Sequence, residues 1–413
     1  MLQVYQPWDK LKTCIVGKPF SPQFFSYIKN PRVRNVLERI TTETEEDFQE
    51  LIKILEQFNV KVLRPNISDN FQDYWDDKHK HYRSAPMTPR DWGGMFGNTF
   101  FFDEKLSMPA WTADNTYAYK DILNVISENG NPIIKNTRIT SAIVSRVGKD
   151  LYFGTWHDIQ EIWENIKKPN WPQKIPNNFF LHYLYDKPWF LKTFIRKSRR
   201  KEYKEVIQKL FDKTLNDQLQ YFLDSHRCHV FDSAGHIDGC FTPVVPGLIM
   251  SIPDYQDYSE TFPGWEVVYC EKNPMSEEDA KLKFLATKSR GKWWVPGEED
   301  NDEFTNFVEQ FMPNWTGNSQ ETYFDVNMLV IDKKNVIVSG YSKKMFEAFN
   351  RWGITPHVVN LRHKYFFDGS IHCMTCDLDR EGEMEDYFPG RNQYHTEYHR
   401  DFDFLTEDSD EHL

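Results

Sequence analysis

Apolar positions along this chain follow two alternating patterns, short runs with strand character and stripes with helical spacing. The run Leu11-Lys12-Thr13-Cys14-Ile15-Val16-Gly17 predicts a strand that stops at a glycine. Residues 45–58 place Phe48, Leu51, Ile52, Leu55 and Phe58 on one helical face, with acids leading, and predict a helix. The stretch before it, 31–40, is mixed and predicts no single element, while 60–63 predicts a second strand ended by Pro65. The clearest unit lies at 327–361. It reads as a strand at 328–331, a turn over Asp332-Lys333-Lys334-Asn335 and a strand at 336–338. A helix carrying Met345, Phe346, Phe349 and Trp352 stops at Gly353, and 357–361 reads as a third strand. The same order of hairpin, helix and strand recurs more weakly near 11–63 and 143–166, where 159–166 predicts a helix. This is a repeat of architecture and not of letters. Such repetition predicts one ring-like α/β domain over residues 1–400 instead of separate domains.

Breaks in the pattern mark loops and insertions. Prolines and glycines across 86–99 predict a loop that holds Asp91, followed by a strand at 96–102. Hairpins are predicted at 143–153, turning at Gly148-Lys149-Asp150, and at 243–252, turning at Pro246-Gly247, with a strand at 265–269. Two long stretches fit no module, near 169–223 and 271–321. The first begins proline-rich and irregular and continues as a helical region in which Arg196, Lys197, Arg199, Arg200 and Lys201 cluster. The second is polar with several tryptophans and reads as a surface excursion able to close over a site. Residues 401–413 form an acidic C-terminal tail.

Composition narrows the class. At 413 residues, 39% hydrophobic and 27% charged, the chain suits a globular protein with a sizeable core. A net charge of −12 argues against general nucleic-acid binding and favours a solvated helix face for the 196–201 cluster. No stretch approaches the ~18 apolar residues of a membrane span. The first ten residues have no basic segment followed by an apolar run. Six unevenly spaced cysteines read as reduced thiols of a cytoplasmic protein.

Reactive side chains concentrate in two short stretches. Phe367-Asp368-Gly369-Ser370-Ile371-His372-Cys373-Met374-Thr375-Cys376-Asp377 follows the clearest module, and its Asp-Gly turn lets the backbone present a side chain. Gly235-His236-Ile237-Asp238-Gly239-Cys240 supplies a base. Cys373 is a candidate nucleophile, which requires a thiolate, and His236 its acid/base partner. Asp238, two residues on, faces the same side if the segment is extended, where it would orient the imidazole or bind a cation. A buried, inert cysteine and a structural histidine are the plain alternatives. Cys373-Met374-Thr375-Cys376 is also a CxxC, readable as a redox pair or half of a zinc site. No second CxxC exists, and His226-Arg227-Cys228-His229 matches no zinc-finger spacing, so no metal is expected. Gly93-Gly94-Met95-Phe96-Gly97 lacks the ending of a phosphate loop.

These segments resemble the amidinotransferases. His236-Ile237-Asp238-Gly239, with Phe241 and the run Pro246-Gly247-Leu248-Ile249-Met250-Ser251, resembles their His-x-Asp segment. Asn327-Met328-Leu329-Val330-Ile331-Asp332 and Ile371-His372-Cys373-Met374-Thr375-Cys376-Asp377 resemble the late segments of the glycine amidinotransferase family. Pro89-Arg90-Asp91 resembles its early acidic loop, and Trp8-Asp9-Lys10-Leu11 through Val16-Gly17 its opening. The resemblance implies a five-bladed, pseudo-symmetric α/β propeller (pentein) of ββαβ modules from the guanidino-group-modifying superfamily. It implies that Cys373 attacks a guanidino carbon to form an amidino-thioether. His236 would protonate the departing amine and then activate the acceptor, while Asp238 and Asp91 hold guanidinium nitrogens or His236. No cofactor is implied. The partners are a small guanidino donor, arginine or a relative, and an amine acceptor, with neither nucleic acid nor membrane and with a homodimer as one arrangement.

The chain departs from the family in three places. The family has an Asp just before the 146–150 hairpin, where this chain reads Ile139-Thr140-Ser141-Ala142-Ile143. Tyr255 stands where the family's carboxylate-gripping arginine falls, and Asp325 where a small hydroxyl residue falls. These departures imply a diverged substrate, with Asp325 facing an amine or second cationic group. A guanidine hydrolase on the same fold is the alternative, and a catalytically weakened binding protein is a third reading.

Overall fold

The computed structural model describes residues 1–78, 80–103, 116–135, 139–154, 221–231, 233, 236–253, 258–259, 261–270, 293–313, 315–316, 326–367, 369–391 and 394–397. Along the chain run β1 (Lys10–Val16), α1 (Pro31–Gln57), β2 (Lys61–Leu63), the short pair β3 (Trp75–Asp76) and β4 (His81–Tyr82), β5 (Gly93–Phe96), β6 (Thr99–Phe102), α2 (Thr116–Glu128) and β7 (Ile133–Lys135). Then come β8 (Val144–Val147), β9 (Asp150–Gly154), β10 (Arg227–Phe231), β11 (Phe241–Val245), β12 (Leu248–Ser251), β13 (Glu266–Tyr269), α3 (Asp302–Phe311) and β14 (Leu329–Asp332). The last are β15 (Asn335–Val338), α4 (Lys343–Trp352), β16 (Thr355–Val358), α5 (Lys364–Phe367), β17 (Thr375–Glu381) and β18 (Tyr394–Glu397).

Five sheets share one plan, an antiparallel pair extended by a parallel strand. β5–β6–β7, β11–β12–β13 and β14–β15–β16 follow it in consecutive order. β8–β9–β10 follows it too, with β18 added parallel to β10. In the remaining sheet, β1 lies parallel to β2 and antiparallel to β17, so the first strand is paired by one from near the other end of the chain. A parallel neighbour needs a crossover, and α1, α2 and α4 supply three of them. The α/β class and the hairpin–helix–strand unit at 327–361 are as the hydrophobic pattern indicates; near 11–63 the antiparallel partner of β1 is the distant β17, so that unit holds no hairpin of its own.

Several boundaries differ from expectation. The mixed stretch 31–40 is helical and forms the first third of α1. Pro31 sits where its fixed φ suits a first turn, and the Asn30 side chain accepts from Arg32 N. Val33, Val36, Leu37 and Ile40 continue the buried stripe through Phe48, Leu51 and Leu55. Each such side chain fully buried is worth about 1.5–3 kcal/mol. The strand expected at 96–102 is a hairpin over 93–102, because Gly97 at φ 57° makes the tight turn between β5 and β6. The strand expected at 357–361 runs Thr355–Val358. The excursion at 271–321, expected at the surface, is partly core. Trp293, Val295, Phe304, Val308 and Met312 pack with α1 in one apolar cluster. The helix expected at 159–166, most of the 169–223 insertion, Tyr255, Asp325 and the acidic tail lie outside the described residues. Among the described residues no helix is long and apolar enough to cross a membrane.

A buried ionic cluster anchors β17 beneath the candidate site. Asp377 accepts from Arg146 Nη2 at 2.6 Å and Arg380 Nε at 2.7 Å, and Arg90 Nη2 stands 3.5 Å away. The arginines spend their other donors on backbone carbonyls of Met95, Asp9, Val330 and Ser141, so the cluster ties several modules together. Burial raises the Asp377 carboxyl, but Arg146, Arg380 and Arg90 overcome it and hold the group well below the usual carboxylate range. Removing one member strands the others in low dielectric. Asp377→Asn is therefore expected to cost about 3–5 kcal/mol, read as a lower urea midpoint. Because the folded-state value is depressed, this stabilisation is present above about pH 4, where unfolded Asp ionises. It is lost as pH falls toward the depressed value, so the variant's stability must vary less with pH below 4 than the wild type's.

Candidate active site

Cys373 sits in the turn 371–374, between α5 and β17. Both sides of that turn are pinned. Upstream, Arg362 donates from its backbone N (2.8 Å) and Nε (2.7 Å) to Asp47 on the buried face of α1, and His363 Nε2 lies 2.6 Å from Glu43. Downstream, β17 is held by its ladder with β1. Within the turn, Met374 N donates to Ser370 O and the Thr375 hydroxyl to Ile371 O. Arg90 Nε donates to the carbonyls of His372 (2.9 Å) and Thr375 (3.1 Å), clamping the turn from the side. The side chain of Asn327, two residues before β14, accepts from Cys373 N at 3.0 Å and donates to Cys373 Sγ at 2.9 Å.

Asp91 reaches the same place from a different module. It ends a short 3-10 turn, Pro89–Asp91, whose Arg90 is the clamp just described. The loop can lie there because position 17 is glycine: a Cβ on Gly17 would fall 1.9 Å from the Met87 carbonyl oxygen, while Gly17 N donates to Met374 O. Gly17→Ala must push the Asp91 loop away from the Cys373 turn. A shift of an ångström in a reacting group costs up to about 100-fold. The expected result is a kcat loss of that order from a residue that touches no substrate, measured alongside the melting temperature.

His236 caps a second 3-10 turn, Ile237–Gly239. The segment is not extended, because the Asp-Gly pair closes a turn, and Asp238 hydrogen-bonds a different imidazole. Its Oδ2 instead lies 2.9 Å from His372 Nδ1, and Arg90 Nε is 4.0 Å away. Asp91 faces His236, with Oδ1 3.8 Å from Nδ1, an ion-pair distance too long for a hydrogen bond. Two imidazole–carboxylate pairs thus result, His236 with Asp91 and His372 with Asp238, converging on the Cys373 turn.

The two carboxyls are pushed apart electrostatically. Burial dominates at Asp91 and raises it, against the opposing charge of His236 and a hydrogen bond from the Thr88 side chain. Burial also raises Asp238, but the hydrogen bond from His372, with the charges of His236 and Arg90, leaves it lowered and ionised. His372 is pushed down to about 4, first by burial and then by Arg90. It is neutral near pH 7, with the Nδ1 proton donated to Asp238, since a carboxylate only accepts. Asp91 Oδ1 and Asp238 Oδ1 are both buried and lack hydrogen-bond partners among the described residues. Two such carboxylate oxygens suit a flat cation with several N–H groups.

The sequence-derived candidates Cys373, His236, Asp238 and Asp91 therefore gather in one region, and Asp325 lies outside the described residues. Arg90, His372 and Asn327 were not read from the sequence as site residues. A buried arginine, a histidine beside the cysteine and an asparagine before a strand carry no local signal of their own. Cys376, the other half of the CxxC, points elsewhere. Its Sγ is 3.7 Å from Gly93 O, and burial pushes it up to about 11. None of the six cysteines is in a disulfide, and among the described residues no group of three or more His, Cys, Asp or Glu could hold a metal ion.

No family model matches the chain. It is 23% identical over 415 residues to the mitochondrial glycine amidinotransferase of Xenopus tropicalis, covering 93% of this chain and 84% of that one. It is 24% identical over 169 residues to an L-arginine:L-lysine amidinotransferase of Pseudomonas savastanoi pv. phaseolicola, covering 40% of this chain and 37% of that one. In structure it matches an amidinotransferase of Microseira wollei from the saxitoxin biosynthetic pathway, with a TM-score of 0.58 and 18% identity over 94% of this chain and 99% of the other. The resemblance carried by its own motifs thus extends along nearly the whole sequence and to the fold, and the chain is similar to the amidinotransferases.

Proposed function

We propose that this chain transfers an amidino group from a guanidino donor to an amine through a covalent adduct on Cys373. The observation that carries the reading is the pair of buried oxygens on Asp91 and Asp238 that lack hydrogen-bond partners among the described residues, on loops that Arg90 and His372 tie to the Cys373 turn. A guanidinium satisfies both while presenting its central carbon to Sγ. The Sγ–carbon bond forms, the bond from that carbon to the donor's amine breaks, and His236 gives the leaving nitrogen a proton. The incoming amine then returns a proton to His236 as it attacks the carbon and releases Sγ. The developing charge is cationic, so carboxylates are its fitting stabilisers. Asp91 takes over toward His236 the place of the family acid that residues 139–143 lack. We further propose that the five sheets stand as blades about one axis, the pairing of β17 with β1 closing the ring. Asp325, in place of a small hydroxyl residue, would adapt the pocket to a diverged substrate with a second cationic group.

Arginine is the first donor to test, offered with a panel of amines that includes glycine and lysine. Transfer predicts ornithine together with a new guanidino product that depends on the amine. Urea or citrulline formed without regard to the amine would replace this reading with hydrolysis.

A further inference from the structure

Asn327 makes two bonds to one residue. Its Oδ1 accepts from the backbone N of Cys373 at 3.0 Å, and its Nδ2 donates to the sulfur at 2.9 Å. The orientation of the amide is fixed by the first bond: a backbone N–H must meet the oxygen, so the NH₂ end faces Sγ. The Asn327 backbone is held too, since its carbonyl accepts from His372 N at 3.3 Å, while the Thr242 hydroxyl donates to the carbonyl of Val326. Asn327 is buried, so water does not compete for these bonds.

We propose that Asn327 is a positioning residue that holds Cys373 as a thiolate in the empty site. The need for it follows from the neighbours. From the Pro89–Asp91 turn come Arg90 and Asp91; from the Ile237–Gly239 turn come His236 and Asp238; from the cysteine's own turn comes His372; from β17 comes Asp377, already enclosed by three arginines. Two of these groups, Asp91 and Asp238, are the carboxyls that await a cation, and they oppose negative charge on sulfur until one binds. His372 is neutral and bonded to Asp238, and Arg90 is committed to carbonyls and carboxylates. A neutral donor aimed at Sγ favours the charged form of the thiol without competing for the guanidinium. A purely structural role would need only the acceptor oxygen on Cys373 N, which aspartate supplies equally well. The NH₂ end on sulfur is what asparagine adds.

This rests on Cys373 being the nucleophile, but its test does not require turnover. Iodoacetamide alkylation of Cys373 is followed by mass spectrometry as a function of pH in wild type, Asn327→Asp and Asn327→Ala, each checked for folding by circular dichroism. Both variants are expected to move the alkylation midpoint about one unit or more to alkaline pH, which slows alkylation about tenfold below the midpoint. A folded variant with the wild-type midpoint overturns the proposal. The wild type supplies an arm that needs no variant at position 327. Its thiolate absorbance, taken as a difference from Cys373→Ser, must appear below the ordinary thiol value of about 8.5. Appearance at or above that value also overturns it. A normal thiolate that never forms a guanidine adduct would instead count against amidino transfer and leave this inference standing.

Discussion

Cys373→Ser is expected to abolish amidino transfer, with kcat/KM falling by about 10⁴-fold or more while the fold is retained. The hydroxyl is nearly isosteric with the thiol and can still meet the Asn327 amide and its own backbone bond. What it lacks is acidity: a serine beside two carboxylates stays protonated and cannot attack a resonance-stabilised guanidinium. Losses of that size are what removal of a covalent nucleophile produces elsewhere. The readout is product formation by mass spectrometry with thermal unfolding as the control. Turnover within tenfold of wild type would take the sulfur out of the reaction.

The second large effect is expected from Asp91→Asn. Asp91 is buried, raised by that burial, and has one oxygen without a hydrogen-bond partner among the described residues. Its burial is a cost to the fold that His236 and Thr88 only partly offset and that a bound cation would offset further. The amide removes the charge and keeps the shape. Activity should fall about 100- to 1000-fold, equivalent to about 2.7–4 kcal/mol of lost charge stabilisation. The melting temperature should stay level or rise, since an unsatisfied buried charge is gone. Opposite signs for activity and stability distinguish a binding carboxylate from a structural one. If Asp91→Asn lost both together, the residue would belong with Asp377, whose charge the fold requires.

The sequence was most legible where chemistry and periodicity coincide. The unit at 327–361 could be read strand by strand because its apolar stripe, its turn and Gly353 agree. Cys373, His236, Asp238 and Asp91 were singled out by residue type and family resemblance, and all four converge. Their pairing was not legible. Which imidazole meets which carboxylate depends on two 3-10 turns and on the clamp of Arg90, all set by contacts between distant parts of the chain. The expected partnership of His236 with Asp238 assumed an extended segment, and a closed turn sends the aspartate to His372. Asn327 was visible as part of a motif but not as a ligand of sulfur, since 46 residues separate it from Cys373. Pro31 shows the opposite failure. Read locally it begins a mixed stretch that predicts no single element, whereas in the fold it opens a 27-residue helix.

The most direct measurement is the intact mass of the wild-type protein after incubation with arginine and a panel of other guanidines in the absence of an amine acceptor. The expected result is a gain of one amidino group, mapped to Cys373 by peptide analysis, absent from Cys373→Ser and discharged when the matching amine is added. A wild type that no guanidine labels, together with activity unchanged in Cys373→Ala, would contradict covalent amidino transfer at this site.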